Sequence, residues 1–332
     1  MQETLSFDDV LLTPQKSDIV SRSEVDLTST IGKHSFTLPI ISSPMDTVTE
    51  TSMATTIGEL GGLGILHRYC SIEEQAAMIT PFASAAAIGV SGDFKERLAA
   101  LKEVGLKIVC VDVAHGHHSM MESCLKYIKD TYGDEIAIIA GNVATPEGYR
   151  DLSDWGADAV RIGIGGGSIC STRIQTGHGV PTFHSVLCCK YVDSGAKIIA
   201  DGGIKTAGDA VKAIAAGADF VMLGSMLAGT DESPGEVFTS TDDKKYKVYR
   251  GMASVEAQVA WRGEARSLEG VSTTIPYKGS VMSALESLKQ NIRSGLSYTG
   301  ARSISEFQAK AHFIRQTSAS IVESGTHILN AR

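Results

Sequence analysis

The sequence predicts an α/β fold, a closed (β/α)₈ TIM barrel with a long lid or flap excursion after the eighth strand. Short apolar runs recur eight times, and most are separated by ten or more residues of helical character. Alternating strands and helices predict a parallel sheet, and eight repeats in roughly 200 residues favour closure. Unusual polar and glycine-rich motifs follow most runs, as they do when strand ends form one site. An open, doubly wound sheet is the alternative.

The elements follow in order along the chain. Residues of about 1–35 are polar and are predicted to wrap the outside of a single domain covering 1–332. After the last strand, residues 229–280 are polar and weakly periodic, which is typical of a lid, and we place a flap at about 242–280. Helices are predicted again at about 281–294 and 303–323. The eight predicted strands are Leu38–Ile41, Leu63–Leu66, Ala86–Val90, Ile108–Val113, Ile136–Ala140, Ala159–Ile164, Lys197–Ala200 and Phe220–Leu223.

Composition narrows the class of protein. The 332 residues are 43% hydrophobic, which supports a sizeable core, and the net charge of −8 gives no electrostatic case for binding nucleic acid or an anionic membrane. No signal peptide or spanning helix is expected. The six cysteines fit neither a zinc site nor a disulfide framework, so we expect a reducing, cytoplasmic compartment. They lie at positions 70, 110, 124, 170, 188 and 189.

The stretch 159–173, AVRIGIGGGSICSTR, carries the most chemical information. A buried strand leads into three consecutive glycines, whose amides can form an anion-binding concavity. Cys170 follows on the same loop, where backbone dipoles or a nearby cation can activate a thiol as a nucleophile. The alternative is an ordinary glycine turn beside a small apolar cysteine.

GIGGGSICSTR resembles the active-site loop of the IMP dehydrogenase / GMP reductase family, in which GIGPGS(I/V)CTTR carries a covalent cysteine. Here Gly166 replaces the usual proline and Ser171 a threonine, and neither change removes the reactive group. The resemblance extends from LSFDDVLLTP at 5–14 to the last helix. HRYCSIEEQA continues without interruption after the second strand, so the pair of regulatory CBS modules usual in the dehydrogenase branch is expected to be absent.

Loops after strands seven and eight of a barrel commonly hold a phosphate. The resemblance assigns the 5′-phosphate of a purine nucleotide to Ser168, Gly203, Gly224, Ser225 and Tyr249, and the ribose hydroxyls to Asp201. Taken alone, the DGG and GS sequences that supply some of these residues would be turns. The further substrate-binding residues that the resemblance implies are Ser43, Met45, Gly202, Gly251, Met252 and Arg266.

The resemblance also implies the catalytic groups. Cys170 would attack C2 of the purine, Thr172 would relay a proton and Glu269 would act with it. Because no GxGxxG opens a strand–helix unit, a nicotinamide must lie along the barrel mouth. DVAHGHH at 112–118 is its candidate platform, and its histidines lack the i,i+4 spacing of a helical zinc site. The resemblance implies cofactor contacts from Asp112, Ala114, Asn142 and Gly163.

A potassium ion and a homotetramer are also implied by the resemblance alone. The ion would bind backbone carbonyls of Gly163, Gly165 and Cys170, with Glu323 and its neighbours supplied by an adjacent subunit.

The two branches of the family run related chemistry in opposite senses. The segment 253–275 lacks the Arg-Tyr pair of the dehydrogenase flap, and ARSLEG at 265–270 resembles the reductase motif, as does DVA at 112–114. SSPMDTVTE, RIQTGHGVP and TDESPGE resemble the dehydrogenase instead, and His178 replaces a usual valine.

The sequence therefore predicts a GMP reductase that uses NADPH to convert GMP into IMP and ammonia. The alternative is an NAD-dependent IMP dehydrogenase without regulatory modules, in which Arg262, next to Trp261, could activate water. A third hypothesis is a nucleotide-binding barrel without activity.

Overall fold

The computed structural model describes residues 3–266 and 268–326. The chain begins with 3₁₀ helices at Phe7–Asp9 and Arg22–Glu24 and three short strands, β1 (Val10–Leu12), β2 (Ser29–Ile31) and β3 (His34–Phe36). β2 and β3 form an antiparallel hairpin immediately before the first barrel strand. Its apolar residues Ile31 and Phe36 pack with the side chains inside the barrel. The hairpin thus closes the lower end of the barrel, whereas the sequence indicated only an outer wrap.

Eight parallel strands close the barrel in sequence order, which confirms the predicted (β/α)₈ fold. Each observed strand agrees with its predicted run to within three residues at either end. Apolar side chains from alternate positions fill the interior, and the others pack against the surrounding helices. The strands are β4 (Ile40–Ser42), β5 (Leu63–Leu66), β6 (Ala85–Ile88), β7 (Ile108–Asp112), β8 (Ala137–Val143), β9 (Ala159–Ile162), β10 (Lys197–Asp201) and β11 (Phe220–Leu223).

Helices connect these strands and begin at recognisable caps. The hydroxyl of Thr145 accepts a hydrogen bond from the Gly148 amide at one helix start, where Pro146 fits the first helical position. Thr206 and Asp209 cap another helix reciprocally. These helices are α1 (Thr51–Glu59), α2 (Ile72–Ala77), α3 (Phe94–Glu103), α4 (Ser119–Tyr132), α5 (Pro146–Asp154), α6 (Thr172–Thr176), α7 (Thr182–Cys189) and α8 (Ala207–Ala216). Only five residues separate β5 from α2, so no module is inserted there.

The excursion after β11 is more regular than the sequence indicated. It contains β12 (Phe238–Thr239), β13 (Lys245–Arg250), α9 (Val255–Arg262) and β14 (Ser272–Pro276), and the three strands form an antiparallel sheet. Alternation along β13 turns Tyr249 inward and leaves Val248 exposed. We call residues 238–276 the flap.

The last segments correct one prediction. α10 (Val281–Ser297) lies where a helix was expected, but the predicted helix over 303–323 is wrong. It is divided into α11 (Ile304–Lys310), β15 (Phe313–Arg315) and α12 (Ser318–Glu323). β15 pairs with β1, and the Phe313 ring packs edge-on against Phe183 at 5.0 Å between centroids. A partner about 300 residues away in the chain decides this strand, so local periodicity could not show it. Among the described residues, no helix combines the length and apolar character needed to cross a membrane.

Candidate active site

The loop that carries Cys170 begins where β9 ends, and we call its residues 163–171 the thiol loop. Gly163 has a φ of 152°, and a Cβ there would come within 1.9 Å of the Asp201 carbonyl oxygen. A Cβ on Gly166 would similarly come within 2.6 Å of the Thr182 hydroxyl. Glycine is therefore required at 163, where the loop crosses the end of β10 in close contact. This crossing turns the loop across the barrel mouth.

Cys170, Thr172 and Glu269 form a continuous hydrogen-bonded chain. The Cys170 thiol donates to the Thr172 hydroxyl at 3.2 Å, and that hydroxyl donates to Oε2 of Glu269 at 2.9 Å. Hydrogen-bonded groups in such a line can pass a proton from one to the next. These three residues are the catalytic group that the sequence predicted, and the structure brings them together.

Backbone hydrogen bonds between the flap and the thiol loop hold Glu269 close to Cys170 and Thr172. The Ser171 amide donates to the Glu269 carbonyl at 2.9 Å, and the Val271 amide donates to the Ile169 carbonyl at 3.0 Å. Gly270 of the flap thus forms an antiparallel bridge with Cys170 of the thiol loop. Glu269 is fixed by main-chain hydrogen bonds in addition to those of its side chain.

A cavity of about 390 Å³ lies beside the hydrogen-bonded Cys170, Thr172 and Glu269, and nearly all of the predicted site residues line it. Arg266 is the exception, because it lies outside this cavity and its exposed guanidinium pairs with Glu264 at 2.6 Å. The predicted residues that line the cavity are Ser43, Met45, Asp112, Ala114, Asn142, Gly163, Gly165, Ser168, Cys170, Thr172, Asp201, Gly202, Gly203, Gly224, Ser225, Tyr249, Gly251, Met252 and Glu269.

The end of the cavity predicted to hold phosphate consists of hydroxyls and close-packed backbone. The oxygens of Ser168 and Tyr249 lie 3.3 Å apart. A Cβ on Gly224 would lie 3.2 Å from the Tyr249 hydroxyl and 3.6 Å from that of Ser43, so these groups converge on one spot. Burial raises the pKa of Tyr249, which keeps its phenol protonated and able to donate a hydrogen bond.

An ion-pair network occupies the centre of the barrel mouth. Arg161 donates from Nη1 to Oδ1 of Asp112, and from Nε and Nη2 to Oδ2 of Asp201 at 3.2 and 2.9 Å. Burial disfavours the guanidinium charge, but the two carboxylates outweigh that cost and raise the pKa of Arg161. Asn142 Nδ2 also donates to Oδ2 of Asp201, at 2.7 Å. We call Arg161, Asp112, Asp201 and Asn142 the strand-end network.

A second cavity of about 1180 Å³ adjoins the first, and both share the side chains of Arg68, Tyr69, Val113 and Arg262. Tyr69 stacks on Trp261 of the flap, with 4.3 Å between centroids and 11° between planes. Arg68 lies over both rings, at 5.4 and 5.7 Å from their centroids. This stack attaches the flap helix α9 to the loop after β5.

Sequence reasoning assigned no role to Arg68, Tyr69 or Gln258, which also line the first cavity. Arg68 and Tyr69 follow β5 in the HRYCS motif, so their position after a strand was the available signal. Gln258 carried no signal, because its side chain enters the cavity only through the packing of α9. Of the DVAHGHH histidines, His117 pairs with Asp151 at 2.7 Å and His118 caps α4.

Other cysteines lie in environments that disfavour a thiolate. Burial raises the pKa values of Cys110, Cys124 and Cys189 to about 12, and that of Cys70 to about 11. Cys110 and Cys124 are fully buried in the barrel and its helix layer. Cys170 alone among the six cysteines lines the cavity around the glycine loop.

The closed barrel, with its glycine loops and polar side chains gathered at the strand ends, defines a (β/α)₈ protein with a ligand site at the barrel mouth. A family model described as the IMP dehydrogenase / GMP reductase domain matches residues 4–327, and the chain belongs to this family. Its members are oxidoreductases that act on purine nucleotides and use nicotinamide cofactors.

Some similar proteins are named IMP dehydrogenases, and others are named GMP reductases. The chain is 35% identical to an inosine-5′-monophosphate dehydrogenase of Nitrosopumilus maritimus over 470 aligned positions, covering 98% of each chain. It is 33% identical to a GMP reductase of Leishmania major over 479 positions, covering 98% of this chain and 97% of that one. Both alignments exceed the 332 residues present here, so these relatives contain insertions that this chain lacks.

A solved structure is similar over the same extent. The crystal structure of a GMP reductase variant from Trypanosoma brucei in complex with guanosine 5′-monophosphate superimposes with a TM-score of 0.93 at 32% identity. The match covers 98% of each chain.

Proposed function

We propose that this protein is a GMP reductase, which converts GMP into IMP and ammonia at the expense of NADPH. The thiol–hydroxyl–carboxylate chain of Cys170, Thr172 and Glu269 carries the proposal, because reductive loss of an amine requires a nucleophile and a proton donor at the same carbon. The GMP-bound relative with the same fold supports a purine nucleotide in the cavity.

In the first half-reaction the Cys170 sulfur bonds to C2 of the purine, and the bond from C2 to the exocyclic nitrogen breaks. The thiol proton passes through the Thr172 hydroxyl to the Glu269 carboxylate, and the same route returns it to the amine, which leaves as ammonia. C2 would then accept a hydride, which a reduced nicotinamide would supply when bound against Asp112 and Ala114. Departure of the sulfur then restores the free Cys170 side chain and gives IMP.

Residues of the first cavity fit both ligands. We assign the phosphate to Ser168, Gly203, Gly224, Ser225 and Tyr249, which all line the first cavity, and of which Ser168, Gly224 and Tyr249 lie close together. Asp201 fits the ribose hydroxyls, because the Arg161 and Asn142 bonds all go to Oδ2 and Oδ1 can accept. The nicotinamide would lie against Asp112, Ala114 and Asn142, and the adjoining 1180 Å³ cavity has room for the rest of a dinucleotide.

Attachment of the flap also favours reduction. A dehydrogenase, as the family resemblance describes it, swings its flap into the site to activate water. Here the flap is joined to the thiol loop by backbone hydrogen bonds and to the loop after β5 by the Tyr69–Trp261 stack. A reductase has no need of that movement.

The second candidate is a regulator-free IMP dehydrogenase. Arg262 favours it, because this guanidinium lines the cavity of Cys170 and is anchored by Gln258. In that reaction Arg262 would activate the water that hydrolyses the cysteine-bound purine.

One assay separates the two. The protein is given GMP with NADPH, and separately IMP with NAD⁺, both with K⁺, while the absorbance of the reduced nicotinamide is followed. Decay in the first mixture alone is the expected result. A rise in the second alone would make the protein a dehydrogenase, and tight GMP binding without turnover in either would make it an inactive nucleotide-binding barrel.

Potassium is tested by the same assay with K⁺ replaced by Na⁺. The carbonyls of Gly163, Gly165 and Cys170 are the proposed ligands. Gly163 O already accepts from Asn142 Nδ2 at 2.8 Å, so an ion would share that oxygen.

A further inference from the structure

A small cavity of about 210 Å³ lies behind the loops proposed to hold the 5′-phosphate. It shares Gly166, Ser168, Gly203, Ile204 and Ser225 with the 390 Å³ cavity, so the two meet at these loops. We call it the rear cavity. A nucleotide whose phosphate reaches Ser168 and Ser225 would have its 5′ end directed at this opening.

Charge distinguishes the two sides of the phosphate loops. The side chains proposed to hold the 5′-phosphate, those of Ser168, Ser225 and Tyr249, are all uncharged. The rear cavity instead contains the cations Arg173 and Lys205 with one carboxylate, that of Asp8. Positive charge therefore lies beyond the first phosphate position, where a longer chain of phosphates would extend.

Arg173 is positioned by close contact with two glycines. A Cβ on Gly165 would come within 2.7 Å of the Arg173 Cγ, and one on Gly179 within 2.6 Å. The exposed side chain thus lies against two glycines, and Nη2 donates to the Val180 carbonyl at 3.0 Å. A guanidinium held in one place loses little conformational freedom when it binds a phosphate.

Lys205 can bind a phosphate if the phosphate replaces its present partner, the carboxylate of Asp8. Its ammonium lies 2.8 Å from a carboxylate oxygen of Asp8, and both side chains are more than half exposed. Exposed pairs of this kind contribute little to stability, so a phosphate oxygen can replace the carboxylate.

We propose that the rear cavity is a subsite for the second phosphate of a nucleoside 5′-diphosphate. The first phosphate binds at Ser168 and Ser225, and the second binds Arg173 and Lys205. This inference rests on the proposed purine nucleotide site and widens its ligands from monophosphates to diphosphates.

The test is the ratio of the dissociation constants of GDP and GMP, measured by titration calorimetry on the intact protein without cofactor. We expect a ratio near unity in the unaltered protein. Lys205→Gln should raise the ratio about tenfold, because a charge-assisted hydrogen bond is lost. Asp8→Asn should lower it, because the competing carboxylate is removed. Lys244→Gln, at an exposed ion pair in the flap, is the matched control and should leave the ratio unchanged.

Two results would overturn the proposal while GMP still binds. One is GDP binding about a hundredfold or more weaker than GMP in the unaltered protein, which would show a closed phosphate end. The other is a ratio that none of the rear-cavity variants changes. Failure of GMP itself to bind would instead remove the proposed function. Inorganic pyrophosphate, titrated alone, shows whether the subsite needs the nucleoside, and binding as tight as that of GDP would contradict the shared site.

Discussion

The barrel mouth contains two polar assemblies that are built in different ways. The strand-end network joins Arg161, Asp112 and Asp201, all at or near the ends of three barrel strands. The chain of Cys170, Thr172 and Glu269 joins two loops, and the hydroxyl and carboxylate that it links are 97 residues apart in sequence. The first is charged and nearly buried, whereas the second is held by a flap.

This difference predicts that the strand-end network contributes more to the stability of the fold than Cys170, Thr172 and Glu269 do. Charges at strand ends are fixed by the barrel itself, and loss of the buried Arg161 leaves the partly buried carboxylate of Asp201 without a cation. The loop residues are partly accessible and bear little on the core, so they can be specialised for reaction. Removing Arg161 should therefore lower stability and also disturb the proposed ligand contacts of Asp112 and Asp201, whereas removing a residue of the loop assembly should lower turnover with little effect on stability.

The largest expected effect is that of Cys170→Ala. Turnover of GMP should fall by about 10⁴-fold or more, because no other group can form the bond to C2. GMP affinity and the free energy of unfolding should change little. Steady-state kinetics, calorimetry and urea unfolding measure the three quantities. Cys188→Ala, on α7, is the control with normal turnover, and comparable activity in both variants would refute covalent catalysis.

Alkylation compares the two assemblies without mutation, because Cys110 contacts Arg161 in the strand-end network. A thiol with a pKa of about 12 has a thiolate fraction of about 10⁻⁴ at pH 8, and that fraction rises tenfold with each pH unit. Iodoacetamide at pH 8 should modify Cys170 and leave Cys110, Cys124 and Cys189 intact, and GMP should protect Cys170. Peptide mass spectrometry gives the result. Equal modification of Cys110 and Cys170 in the folded protein would contradict the assignment.

Glu269→Gln should lower kcat for GMP by about 10²–10⁴-fold, because the carboxylate that orients and replenishes the Thr172 proton is lost. Its unfolding midpoint should stay close to that of the unaltered protein, as expected for a surface-loop change. The KM for GMP should also be preserved, which distinguishes a proton-transfer role from a binding role. A large rise in KM with unchanged kcat would assign Glu269 to substrate binding alone.

Unlike Glu269→Gln, Arg161→Met should lower the free energy of unfolding. Removing the buried cation leaves Asp201 without a cation and Asp112 with only the longer pair to Arg68 at 3.9 Å, at a cost of about 3–5 kcal/mol in the free energy of unfolding. Urea unfolding of this variant beside Glu269→Gln tests the contrast directly. If both shift the midpoint equally, the strand-end network has no special structural role.

The sequence predicted much of this site because a closed barrel brings the C-terminal ends of all its strands together at one mouth. Ser43, Asp112, Asn142, Ser168, Asp201 and Ser225 all follow or end apolar runs, and the structure brings them to one cavity. Arg266 shows the limit: its motif suggested a substrate contact, yet α9 and the Glu264 pair direct it outside the cavity.

Eight apolar runs and their spacing were sufficient by themselves to predict the barrel, and the resemblance of the glycine loop to a known family was sufficient to predict the family. The reactivity of Cys170 stays a prediction. Strand alternation and helix capping are local, so they can be deduced from neighbouring residues. Only the tertiary structure decided that β15 pairs with β1, that the flap forms backbone hydrogen bonds with the thiol loop, and that Tyr69 stacks on Trp261. Each of these contacts joins residues far apart in the chain, and its stability depends on packing and backbone pairing that no short window of sequence contains.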